Sequence, residues 1–188
     1  ARQGLGNLYL RTIDGSPPRR LSGDFGLAMS PDGKSVLLAE PSEKSLECCL
    51  IVPTGPGQPK RLDPGGVRWM WTENRGSGFF PDGKSVYYVG REEGHRPRVW
   101  VQGVEGGKPR AATPEDVRRP VLVGDGRYLC ARSPKSEWML YPASGEGEPR
   151  PVLDLIVDER HQRRLARRAQ RQRLLEGGQR RLVLAELV

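Results

Sequence analysis

Three aspartates stand at matched positions in this chain of 188 residues: Asp32, Asp82 and Asp125. Recurrent carboxylates can hold a cation or move protons, so their neighbours decide their chemistry. Each precedes a glycine. The first two lie in near-identical stretches, Ser30-Pro31-Asp32-Gly33-Lys34-Ser35-Val36 and Phe80-Pro81-Asp82-Gly83-Lys84-Ser85-Val86. The third, Val123-Gly124-Asp125-Gly126-Arg127-Tyr128, is a degenerate copy. Pro fixes φ for the second position of a turn, and Asp folds its carboxylate onto local amides. Gly accepts a positive φ without steric cost. We therefore read Pro31, Asp32, Gly33, Pro81, Asp82, Gly83, Asp125 and Gly126 as structural turn residues, not as catalytic groups or metal ligands.

The remaining reactive side chains form no catalytic pattern. His95 lies in the charged loop Arg91-Glu92-Glu93-Gly94-His95-Arg96-Pro97, and His161 is far away in sequence. Glu92 and Glu93 do not have metalloprotease spacing. Gly76-Ser77-Gly78 lacks the strand-turn-helix setting of a nucleophile elbow. There is no phosphate loop or dinucleotide fingerprint, and no cofactor is expected. Cys48 and Cys49 are neighbours, so on a strand they point to opposite faces and cannot share a metal without distortion. They and Cys130 read as small apolar packing residues; a Cys48–Cys130 disulfide rests on the count alone. The segment Gly65–Arg75 is richer: Trp69 and Trp71 share a face if it is a strand, with Arg68 and Arg75 beside them. Aromatic and Arg side chains anchor binding surfaces, so Arg68, Trp69, Trp71 and Arg75 form the candidate binding surface. Packing between sheets is the competing reading of these tryptophans. Trp100 and Trp138 fall in matched strands and read as packing residues.

The elements that carry these residues follow from the repeat. The aspartates are 50 and then 43 residues apart, a period that marks an array of one supersecondary unit. An apolar run follows each turn: Val36–Ala39, Val86–Val89, Tyr128–Ala131. Short, nearly continuous runs fit strands buried on both faces. Each unit closes on a Gly-x-Pro-basic element: Gly57-Gln58-Pro59-Lys60, Gly107-Lys108-Pro109-Arg110 and Gly147-Glu148-Pro149-Arg150. Proline suits an edge strand, and a basic residue there discourages pairing with another molecule. Twenty-four Gly and 17 Pro fit many turns between short strands. The predicted fold is all-β: about three four-stranded blades plus a half blade, cut from a β-propeller, with a basic C-terminal tail. The half blade covers 1–22 and the blades about 23–64, 65–114 and 115–157. The extra residues at 65–75 are expected to lengthen the connection between two blades.

The Ser-Pro-Asp-Gly-Lys hairpin, its following apolar strand and the Gly-x-Pro-Arg edge resemble the TolB-like propeller repeat, a bacterial relative of the WD-repeat propellers. The resemblance covers residues 5–153. It implies a non-catalytic module that binds a protein, peptide or small ligand at its channel face. Such propellers act as periplasmic proteins or as sensor regions of serine/threonine kinases, so the resemblance implies an extracytoplasmic location. The alternative is the gating propeller of a prolyl-oligopeptidase-type serine peptidase whose catalytic domain lies outside this chain.

The net charge is +8, and residues 158–188 hold nine Arg against four acidic residues. Nucleic-acid binding, if present, belongs to this tail alone. The tail reads as a helix, a solvated extension or a blade destroyed by a shifted reading frame. No apolar run has the length of a membrane span.

Overall fold

The strand after each turn is the spine of its blade. In the computed structural model, which describes residues 8–11, 14–22, 25–41, 46–69 and 76–152, Val36–Ala39 and Val86–Gly90 are buried without a break. β-branched and aliphatic side chains favour a pleated strand, and an uninterrupted apolar run needs cover on both faces. Cover on both sides comes from neighbouring sheets. The chain divides into a unit of residues 1–150 and a second unit of 151–188, of which only Pro151 and Val152 are described. The tail expectations thus lie outside the described residues.

The described strands group as a half blade and three blades. A half blade pairs β1 (Leu8–Leu10) with β2 (Arg19–Ser22). Blade 1 is β3 (Phe25–Met29), β4 (Ser35–Pro41), β5 (Leu46–Pro53) and β6 (Lys60–Arg61). Blade 2 has a first strand in two pieces, β7 (Arg68–Trp69) and β8 (Gly78–Phe79), both paired with β9 (Ser85–Arg91). It continues with β10 (Arg98–Gly103) and β11 (Gly106–Ala111). Blade 3 is β12 (Arg118–Val123), β13 (Tyr128–Arg132), β14 (Trp138–Pro142) and β15 (Arg150–Pro151). The pairings between the described strands are antiparallel, and β7 also pairs with β5 through Leu46 and Trp69, which joins blades 1 and 2 at one end.

Three apolar layers separate the sheets. Val36, Leu38 and Val52 of blade 1 pack on Leu8 and Leu21 of the half blade. Leu37, Cys49, Ile51 and Leu62 on its opposite face meet Val86, Tyr88 and Trp100 of blade 2. Tyr87, Val89, Val99 and Val101 then meet Leu129, Ala131 and Tyr141 of blade 3. Gln102, a buried polar residue, is fully engaged: its amide donates to Asp63 O at 2.6 Å and Gly107 O at 2.7 Å, and its Oε1 is 3.0 Å from Tyr88 Oη. Such satisfaction is what burial of an amide requires.

Three expectations are corrected. β13 is not buried on both faces: Leu129 and Ala131 are buried, whereas Tyr128, Cys130 and Arg132 are half-buried. Among the described residues, a second sheet packs on the side toward blade 2. Trp138 is not the counterpart of Trp100. Trp100 pairs with Tyr88 and is buried, but Trp138 pairs with Arg132, one step further along, and is 46% exposed. A one-residue offset moves a side chain to the other face of its strand. Cys130 carries a free thiol, so no Cys48–Cys130 disulfide forms.

Leu37 is 0% exposed between two sheets, whereas Met29 is 52% exposed. Leu37→Ala should cost about 2–5 kcal/mol through lost transfer energy and the cavity it leaves. Met29→Ala should stay within about 0.5 kcal/mol. Urea unfolding of the two variants checks the contrast.

Candidate functional site

The turn residues occupy one end of the sheets. In blade 1 the amide of Gly33 donates to Ser30 O at 2.9 Å, and Gly33 has φ 70°. Pro31 and Asp32 thus hold the two central positions of a type I turn, with Gly33 as the left-handed residue after it. The Asp32 carboxylate accepts the Ser30 hydroxyl at 2.6 Å and the Lys34 amide at 3.0 Å. These bonds, the hydroxyl first, hold its pKa below the ordinary value. Blade 2 repeats the geometry: Gly83 N to Phe80 O at 2.9 Å, Lys84 N to Asp82 Oδ1 at 2.9 Å, and φ 68° at Gly83.

Blade 3 uses a different turn. The amide of Arg127 donates to Gly124 O, and Gly124, Asp125 and Gly126 all have positive φ (60°, 54° and 91°). That is a type I′ turn centred on Asp125-Gly126. Proline, locked at negative φ, cannot stand where Gly124 stands. The Asp125 carboxylate accepts Arg127 Nε at 2.8 Å instead of a backbone amide.

Beside these turns lie two clefts at equivalent places. One, of about 480 Å³, opens between blades 1 and 2 and is lined by Asp32, Ile51, Lys60, Phe79, Asp82 and Glu105 among others. The next, of about 520 Å³, lies one blade further on, between Phe80, Val101, Arg110, Tyr128 and Ser144. A cation crosses each. Lys60 Nζ is 2.9 Å from Glu105 Oε2. Arg110 Nη2 donates to Ala143 O at 3.0 Å, and its Nη1 donates to Ser144 O. The basic residue of the Gly-x-Pro-basic element therefore reaches the loop between the third and fourth strands of the following blade. Sequence reasoning assigned it only to edge protection. Its recurrence after proline was the signal for a second role.

At the opposite end, loop 92–97 of blade 2 is tied to the connection into blade 3. Glu115 accepts His95 Nδ1 at 2.8 Å, Arg98 Nη2 at 2.9 Å and the Arg96 amide at 3.3 Å. Arg96 Nη1 bonds Asp116, and Arg118 lies 3.6 Å from it. The His95 hydrogen bond is the largest cause lowering the Glu115 pKa, and the Arg96 hydrogen bond lowers that of Asp116. The His95 side chain stays 53% exposed. Its partner is 20 residues away, and nothing in the local sequence announces it.

The candidate binding segment breaks the repeat. Arg68 is exposed, Trp69 is described by its backbone, and Trp71 and Arg75 lie outside the described residues. Trp69 sits opposite Gly90 and Gly78 opposite Tyr87. Eight residues on one strand thus face two on the other, an excess of six. Blades 1 and 3 each carry an excess of one at the same place in the first strand. The extra residues therefore lie inside the first strand of blade 2, where its neighbours have a simple bulge, and not in the connection between blades. Just after them, Gly76 lies against Pro120 of blade 3. A Cβ there would be 2.4 Å from Pro120 Cδ and 2.6 Å from its carbonyl oxygen, so only glycine fits.

The fold has a solved counterpart. The chain aligns with TolB from Acinetobacter baumannii at a TM-score of 0.53 and 22% identity, over 71% of this chain and 36% of that one. The fold is a partial TolB-like β-propeller. This chain therefore spans about a third of the Acinetobacter protein's length. It also aligns with a TolB structure from Agrobacterium tumefaciens at a TM-score of 0.41 and 18% identity, over 72% of this chain and 65% of that one. No family model and no curated protein matches the sequence. In this TolB-like arrangement, no cluster of three or more metal-ligating side chains occurs among the described residues. No helix among them is long and apolar enough to cross a membrane.

Two predictions follow the two ends. Arg110→Ala should destabilise the chain by about 1 kcal/mol, because a charged donor leaves two carbonyls. Lys60→Ala should change stability by less than about 0.5 kcal/mol, because its ion pair is well exposed. Urea midpoints compare them. At the other end, Glu115→Gln should lower the thermal midpoint at pH 7. A carboxylate with a depressed folded-state pKa stabilises above its unfolded value and loses that effect as pH falls through the folded one. The gap between Glu115→Gln and the parent chain should therefore close on acidification. A gap that persists at acid pH contradicts the assignment.

Proposed function

We propose that this chain is a non-catalytic binding module of the bacterial cell envelope, or of an extracytoplasmic sensor. It takes a protein or peptide on the channel side of its first strands. One observation carries the reading. The blade architecture needs one surplus residue in the first strand, and blade 2 supplies six, in a segment containing Trp71, Arg75 and the neighbouring pair Arg68-Trp69. First strands line the central channel of a propeller, and Trp and Arg dominate the energetics of recognition. A surplus that packing does not require is available for a partner. The TolB-like fold supports the binding role by analogy. The reading assigns no cofactor, no catalytic residue and no nucleic-acid role to the blades.

Register makes the test clean. Removing residues 71–75 leaves one surplus residue between Trp69 and Gly78, the same excess that blades 1 and 3 carry at that place. The deletion should fold and keep its urea midpoint within the error of the parent. A photoreactive side chain at Trp71 should give a discrete adduct in bacterial envelope extract, which Arg68→Glu abolishes. The same probe at Lys108, on the exposed outer strand, should give none. Equal labelling at both positions, or an unfolded deletion variant, overturns the reading.

A further inference from the structure

Arginine faces arginine where blade 2 begins. Arg68 of β7 lies directly opposite Arg91 of β9, and both are exposed. Side chains paired in this way stand about 5 Å apart at Cβ, and like charges there are destabilising. Blade 3 holds a pair of the same kind, Arg118 opposite Arg132. That pair is compensated: Asp116 lies 3.6 Å from Arg118, and Arg132 Nη2 donates to Ser136 O at 3.3 Å. The pair in blade 2 is not compensated. Among the described residues, neither Arg68 nor Arg91 has an ion pair or a side-chain hydrogen bond.

The surplus residues of blade 2 do not supply the missing acid. They follow Arg68-Trp69 directly, and the one carboxylate among them, Glu73, is offset by Arg75. Just after them, Gly76 lies against Pro120 of blade 3. The residue before Pro120 is Arg119, which is exposed and sits in the bulge of β12 with φ 53°. Among the described residues Arg119 has no ion-pair partner either. Its neighbours differ. Arg96 and Arg118 lie within ion-pair distance of Asp116, and Arg98 within that of Glu115. Three uncompensated guanidinium groups therefore border the surplus segment: one at its start, one across the ladder from that start, and one beside its end.

The form of the charge selects the partner. Guanidinium forks bind carboxylates and phosphates through paired hydrogen bonds. Glu92 and Glu93 follow Arg91 directly, and Glu115 and Asp116 stand just before Arg118. A continuous polyanion laid across this end would meet those carboxylates and be repelled. Separate side-chain carboxylates on an extended peptide can reach the arginines without doing so.

We propose that the first-strand region of blade 2 binds an acidic peptide segment of a protein partner, with its carboxylates on Arg68, Arg91 and Arg119. The inference rests on the binding role given above and names the chemistry of the partner. An anion between two guanidinium groups relieves their repulsion. A ligand held only by the folded chain also stabilises it.

Fluorescence anisotropy of the full chain tests this, with an end-blocked, labelled peptide of alternating glutamate and glycine as the probe. The peptide should bind saturably, and rising salt should weaken it. The same peptide with glutamine in place of glutamate should not bind. Arg68→Glu, Arg91→Glu and Arg119→Glu should each weaken binding by roughly tenfold or more, since each sets a like charge against the ligand. Lys108→Glu, on the exposed outer strand, should leave it unchanged. Arg91→Glu should at the same time raise the urea midpoint, because it turns a like-charge pair into an opposite one. Lost binding with a raised midpoint does not come from misfolding. A probe that does not bind overturns the proposal. So does a glutamine peptide that binds as well, a set of charge reversals that changes nothing, or a single-stranded oligonucleotide of equal charge that binds as tightly. The adduct at Trp71 remains a separate test of the binding role. A chain that forms the adduct but ignores the acidic probe keeps that role and overturns this chemistry.

Discussion

The structure depends on one constraint: a sheet that is apolar on both faces must be covered on both faces. β4 and β9 meet it because each lies between two other sheets. Their residues show no alternation, and the side chains that fill one interface leave the other to their neighbours. Leu37 faces blade 2 while Leu38 faces the half blade. The consequence is collective stability. No blade buries its own core, so each is stable only with its neighbours, as in other quasi-one-dimensional arrays.

What the sequence made legible was the local part of this. Pro-Asp-Gly specifies a turn by itself, since φ at proline, the carboxylate acceptor and the left-handed glycine are all within four residues. The repeat then fixed the blade class, because a turn recurring at blade spacing leaves few architectures. Register was not legible. Trp100 and Trp138 occupy matching strands in the sequence, yet their cross-strand partners differ by one step, which decides burial. The surplus in blade 2 was visible as a spacing of 50 instead of 43. Its place inside a strand emerged only from the pairing on either side of it.

Long-range polar partners were also beyond sequence reasoning. His95 and Glu115 are joined because one loop and one connection meet at the same end of the sheets. The Lys60–Glu105 pair spans 45 residues. The candidate binding segment was found from residue type, which records chemistry but not position. Asp125 shows the converse. Its spacing matched the other aspartates, but one change, Gly124 in place of proline, permits a type I′ turn and sends the carboxylate to a side chain.

Internal interfaces are specified twice, by apolar packing and by a cation that crosses to the next blade. Lys60 crosses from blade 1 to Glu105 of blade 2, and Arg110 crosses from blade 2 to two carbonyls of blade 3. Apolar packing alone would accept any exposed hydrophobic face. The crossing charge restricts that choice, since it is satisfied by an acceptor in the loop between the third and fourth strands of the next blade and repelled by a cation there. Blade order along the array is thus set by the same recurring basic residue that guards the outer edge.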